Sequence, residues 1–132
     1  MSYAASAAVQ AALYARLISA PGLGDVAIYD ALPEAPPGTF VLIGPEEVRD
    51  ASDQSGAGAE HRLIFSVISD ASGFLASKQI AVAIADALAD PPYPSLNRGR
   101  IVSLSFERAR ARRLDQGAVR RIDLTFRLRV EL

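Results

Sequence analysis

The sequence predicts an α+β fold: an antiparallel four-stranded sheet with two helices packed on one face, a long loop and a protruding C-terminal hairpin, all in one domain spanning residues 1–132. Three observations carry this. Two stretches place apolar side chains at helical spacing, residues 120–131 alternate with period two, and the elements run α, β, β, α, β, β. A chain of 132 residues buries roughly two-thirds of its unfolded surface, enough for one core. Half of its residues are hydrophobic, which argues against general disorder.

Residues 3–19 are rich in alanine, a strong helix former. Val9, Leu13 and Leu17, with Ala5 and Ala12, draw a narrow apolar stripe. Ser2 is the expected cap and Pro21-Gly22 the stop. A short extended piece, 25–29, leads to Pro33-Glu-Ala-Pro-Pro-Gly38, an extended, semi-rigid connector. Thr39 to Ile43 reads as a strand stopped by Gly44-Pro45. Residues 44–60, GPEEVRDASDQSGAGAE, are polar and aperiodic; they are expected to form a long loop, mobile alone and ordered by a partner.

Residues 62–69 carry apolar side chains on both faces, as a central strand does. A second helix, 73–89, follows an N-cap at Asp70 or Ser72 and aligns Phe74, Ala81, Ile84 and Leu88 on one face. Pro91-Pro92-Tyr93-Pro94 ends it. The last third is a hairpin that turns near Asp115-Gln116-Gly117. Its second strand, 120–131, alternates Ile122, Leu124, Phe126, Leu128 and Val130 with polar residues. Its first strand, 100–112, places Val102, Leu104 and Phe106 on the matching side. Continuing that parity puts Arg108, Arg110 and Arg112 on the inner face, with Arg120 across from them. Unpaired arginines beneath a helix are costly, so the hairpin is expected to outgrow the helix layer as a basic arm.

Net charge is −1, but unevenly spread. Residues 1–97 carry four basic and eleven acidic side chains, whereas residues 98–132 carry ten arginines and four acids. Such a dipolar chain can meet copies of itself, or a charged partner, through complementary faces. The plainer reading, that the arginines solvate the exposed side of a strand pair, stands beside it.

Little supports catalysis. No cysteine is present, which removes disulfides, thiolate metal sites and thiol nucleophiles. The single histidine, His61, sits beside Glu60 without a nucleophile-elbow context and is expected at a surface or strand edge. A hydrolase built on it is the weakest alternative. Gly22-Leu-Gly24-Asp-Val-Ala27 fits a dinucleotide fingerprint, yet it follows a helix rather than a strand, so it reads as a helix-ending turn. Glu46, Glu47, Asp50 and Asp53 match no calcium-loop pattern. No cofactor or metal is expected. The arginines admit non-specific contact with a nucleic-acid backbone, without aromatic interleaving or a base-reading motif. The start, MSYAASAAVQ, lacks the features of a secretory signal. The stretch 76–89 is broken by Lys78, Gln79 and Asp86 and so is no membrane span. The expected chain is therefore soluble and intracellular.

Three stretches carry a resemblance: IYDALPEAPPGTFVLIGPEEVRDASD (28–53), GAGAEHRLIFSVISDASGF (56–74) and RRIDLTFRLRVEL (120–132). With the alanine-rich first helix, they make the chain resemble the tail-completion, or tail-terminator, family of long-tailed phages, in the version carried by bacterial gene transfer agents. The resemblance implies a structural protein, made in the bacterial cytoplasm and built into the neck of a phage-like particle. It implies a homo-oligomeric ring of six copies that caps the tail tube, stops its polymerisation and docks the head connector, while DNA transits the lumen. Within that frame the interaction residues expected are Arg108, Arg110, Arg112 and Arg120 on the arm, and Glu46, Glu47, Arg49, Asp50 and Asp53 in the long loop. A head-completion stopper, a tail-tube subunit and a non-specific DNA-binding module are the alternatives.

Overall fold

The computed structural model describes residues 3–54 and 56–132; Ser2, the expected helix cap, lies outside the described residues. The elements are α1 (Ser6–Ile18), β1 (Ala27–Tyr29), β2 (Thr39–Asp50), β3 (Gly58–Ser69), α2 (Leu75–Ala89), β4 (Arg100–Leu114) and β5 (Val119–Glu131). They form a five-stranded sheet in the order β1-β2-β3-β5-β4. The sheet is mixed, because the short piece after α1 pairs in parallel with β2, Ala27 to Phe40 through Tyr29 to Leu42. The four antiparallel strands expected from the sequence are all present, with this edge strand added.

Period two decides which side chains meet the helices. Val41, Ile43, Leu63, Phe65, Val67, Ile122, Leu124, Phe126 and Leu128 form one buried cluster with Val9, Leu13 and Leu17 of α1 and Ala81, Ile84 and Leu88 of α2. Both apolar stripes read from the sequence therefore meet one face of the sheet. Arg16 ties the helices together at one end, donating from Nη1 to the Asp90 carbonyl (3.1 Å) and from Nη2 to that of Pro92 (2.7 Å). These carbonyls follow the end of α2, where a cation is favourable. α1 ends at Ile18 with Ser19 as its C-cap, and Gly22 follows in a turn at φ +84°, where a Cβ would stand 3.3 Å from the Ala83 Cβ. The GxGxxA stretch is thus a turn between α1 and β1 that packs against α2 and precedes no helix.

The long loop and the projecting hairpin expected from the sequence are both absent among the described residues. Residues 44–60 are not a long loop. β2 runs to Asp50 and β3 begins at Gly58, leaving only 51–57 as a tip. Gly44, at φ +100°, and Pro45 are absorbed by a register shift between Ile43 and Glu46, after which pairing resumes from Glu46↔Leu63 to Asp50↔Ala59. Among the described residues no strand flanks β2 on its other side beyond Leu42, so proline's missing donor costs no ladder bond there.

The hairpin also differs from expectation. β5 pairs with β3 as far as Ser69↔Arg120, and β4 with β5 as far as Leu114↔Val119. The hairpin thus lies flush with the sheet instead of projecting as an arm. Two register shifts, at Ile101/Ser103 and Phe106/Arg108, each add a residue to β4. The first places Ile101, rather than Val102, across from buried Val130. The second follows Phe106 and reverses the parity of everything after it. Ala109 and Ala111 turn toward the helices, while Arg108, Arg110 and Arg112 lie across from Thr125, Asp123 and Arg121 on the helix-free face. The buried-arginine problem is solved by a bulge, without any protrusion.

Candidate interaction surfaces

The helix-free face is where most of the C-terminal charge collects. Arg108, Arg110 and Arg112 of β4 share it with Arg121, Arg127 and Arg129 of β5. Asp123 organises its centre, accepting from Ser66 Oγ (2.6 Å), Arg121 Nε (2.9 Å) and Arg112 Nη2 (3.3 Å). Burial by itself would raise the Asp123 pKa; the hydrogen bonds from Ser66 and Arg121 and the charges of Arg121 and Arg112 outweigh it, so the carboxyl titrates below the ordinary aspartate range. Arg62 bridges Glu107 at 3.1 Å, and Arg129 reaches Asp53 at 3.5 Å. Arg108, Arg110 and Arg127 make no ion pair among the described residues.

Arg120 does not join that face. It lies with Arg113 on the helix side, where both guanidinium groups stand over the Phe74 ring, at 5.9 and 5.0 Å from its centroid. Nη1 of Arg120 also donates to the Ala71 carbonyl at 2.8 Å. Stacking on an aromatic face and bonding to backbone let an arginine sit beside a helix without a carboxylate.

The acidic candidates lie on the β2–β3 hairpin rather than on a long loop, Glu46, Glu47 and Asp50 in the paired strand and Asp53 in the tip beyond it. Glu47 and Arg49 are exposed and pair with each other at 3.0 Å. Asp50 accepts from Ser52 Oγ at 2.8 Å. Glu46 points the other way, toward α1, and its Oε1 accepts from Tyr3 (2.8 Å) and from Ser6 Oγ. A hollow of about 470 Å³ brings Glu46, Glu47, Arg62, Glu107 and Arg108 to one place, so part of each predicted set does meet.

His61 is wholly buried rather than at a surface. Its Nδ1 stands 4.0 Å from Glu46 Oε2, and neither ring nitrogen has a hydrogen-bond partner. Burial lowers its pKa, and nearby Glu46 raises it less. A base sealed from solvent, with the Ser6 hydroxyl turned to Glu46 instead, is poorly placed for hydrolysis. No group of three or more potential metal ligands occurs among the described residues, and no helix there is long and apolar enough to cross a membrane. Sequence reasoning missed the Asp123 centre and the Phe74 stack. Asp123 was visible as the acid flanked by Arg120, Arg121 and Arg127, but its partner Ser66 lies on another strand.

A family model, tail completion protein gp17, matches residues 11–131. The chain belongs to this tail-completion family. A chain from the solved virion of a native gene transfer agent particle is 50% identical, with a TM-score of 0.89; the match covers 99% of this chain and 100% of that one. None of the curated proteins compared matches. The family describes a tail-completion component, a structural part of a tail.

Proposed function

We propose that the chain is a virion component of a phage-like particle of the gene-transfer-agent kind, and that it acts there as a tail terminator. Copies form a closed ring on the head-proximal end of the tail tube. The ring stops tube polymerisation and presents a docking surface to the head connector. The observation that carries this reading is the likeness to a gene transfer agent virion chain along essentially the whole length of both. Six copies follow from the family resemblance.

The geometry suits the role. A ring needs two unlike, complementary patches on each subunit, because its contacts run head to tail. The sheet has two unlike ends: β1 beside the acidic half of the chain, and β4 with its arginines. Arg108, Arg110 and Arg127 suit either an acidic neighbour or passing DNA, whose phosphates they would meet without reading bases. The role is assembly, not catalysis.

The test is to add the purified chain to polymerising tail-tube protein. Terminated tubes of limited length are expected; unrestricted growth with the chain present would overturn the proposal. Spontaneous filaments of the chain itself would point to a tube subunit. The three unpaired arginines also favour a second reading, a non-specific DNA-binding module, which predicts affinity falling steeply with salt.

A further inference from the structure

α2 and the β4–β5 pair leave a groove of about 370 Å³ between them, lined largely by Ala81, Val82, Ala85, Phe106, Ala109 and Leu124. Its origin is the bulge after Phe106, which turns the small side chains of Ala109 and Ala111 to the helix side. Val82 and Phe106 stay 58% and 53% exposed on either side of it, which makes the groove one contiguous apolar patch. Lys78 stands at the rim and makes no ion pair among the described residues.

At the opposite end of the sheet, the connector from β1 to β2 has the complementary chemistry. Its sequence is Asp30-Ala-Leu-Pro-Glu-Ala-Pro-Pro-Gly38, and only Pro33 is partly buried. Leu32 is 64% exposed. Gln10 Nε2 donates to Asp30 at 3.3 Å and anchors one end, while the Gly38 carbonyl accepts from the Asp70 amide at 2.9 Å at the other. A proline-rich segment held at both ends has little backbone freedom left to lose, so docking in an apolar groove costs it little entropy.

We propose that the connector of one copy docks in the α2–β4 groove of the next, with Leu32 seated among Val82, Ala85 and Phe106 and with Glu34 facing Lys78. This rests on the ring reading and names its subunit contact. Three features favour a second copy as the occupant. The two surfaces lie at opposite ends of one sheet, as a head-to-tail contact requires. An exposed apolar side chain matches an apolar groove, and an acidic residue matches a basic rim.

The chain has no cysteine, so an introduced pair reports contact without background. Particles carrying Leu32→Cys with Ala85→Cys, once oxidised, should give a ladder of linked copies, whereas either single variant should give none. Normal-length tails without a ladder would overturn this contact and leave the ring reading standing. Wild-type particles that yield only monomers of the chain after non-specific chemical crosslinking would instead remove the ring itself. A second arm uses Leu32→Glu, which should melt as the wild type does but fail to enter particles; entry at wild-type level would also overturn the contact.

Discussion

Replacing Phe126 with alanine tests the register on which the surface assignments depend. The ring is 1% exposed, and its centroid lies 5.7 Å from Phe65 and 5.8 Å from Phe106, both edge-on. Burial of a phenylalanine side chain contributes about 1.5–3 kcal/mol, and each edge-to-face pair about 0.5–1.5 kcal/mol more. The strands on either side are held by β3 and β4, so the cavity would close only in part. The expected loss is about 3–5 kcal/mol, a large share of the roughly 5–15 kcal/mol that holds a domain together. At roughly 3–5 °C per kcal/mol for this size, the melting temperature should fall by about 10–20 °C. Phe106→Ala removes a half-exposed ring with one aromatic partner and should cost about 0.5–1.5 kcal/mol. Scanning calorimetry of both variants decides the matter. A loss under about 1 kcal/mol for Phe126→Ala, or equal losses for the two, would refute the packing and the bulge that follows from it.

Other expectations concern charge. The folded-state pKa of His61 is lowered, so the unfolded chain binds more protons over the interval between the two values. Stability is therefore complete above about pH 6.5 and falls as the pH drops below it; melting curves of His61→Phe should lack that decline. Asp123 is lowered too; its contribution is present above about pH 4 and is lost as the pH falls through the folded value. Acid titration of Asp123→Asn should show a flatter fall in stability than the wild type over that range. Reversing Arg108 and Arg110 together to glutamate removes no ion pair among the described residues, so circular dichroism should report an unchanged fold. Particle yield should nevertheless drop; wild-type yield would show that these arginines only solvate the sheet.

How much was legible depended on whether a segment's own pattern decided its structure. The alternation from Ile122 to Val130 was readable because each face received one kind of side chain. The Phe74, Ala81, Ile84, Leu88 face was readable from its helical spacing, although Leu75 and Val82 stay exposed on the other side of the helix. Residues 46–50 and 58–61 were not. Their glycines and acids resemble a loop, yet they are strands because β3 and β5 supply their ladders. Burial of His61 went unseen with them, since it follows from Val48 and Leu128 lying on either side of it in the sheet. In Glu107-Arg-Ala-Arg-Ala-Arg-Arg113 either parity is self-consistent, and only the pairing Phe106↔Phe126 followed by Arg108↔Thr125 settles it. A one-residue bulge thus moved three of the four predicted arginines to the other face and left Arg120 behind on Phe74.

The central claim, that this tail-completion chain ends the tail tube, is tested most directly by the lengths of tails made without it. Particles from cells lacking the chain, imaged by negative-stain electron microscopy, should show overlong tails detached from heads. Tails of normal, uniform length joined to filled heads would contradict the account.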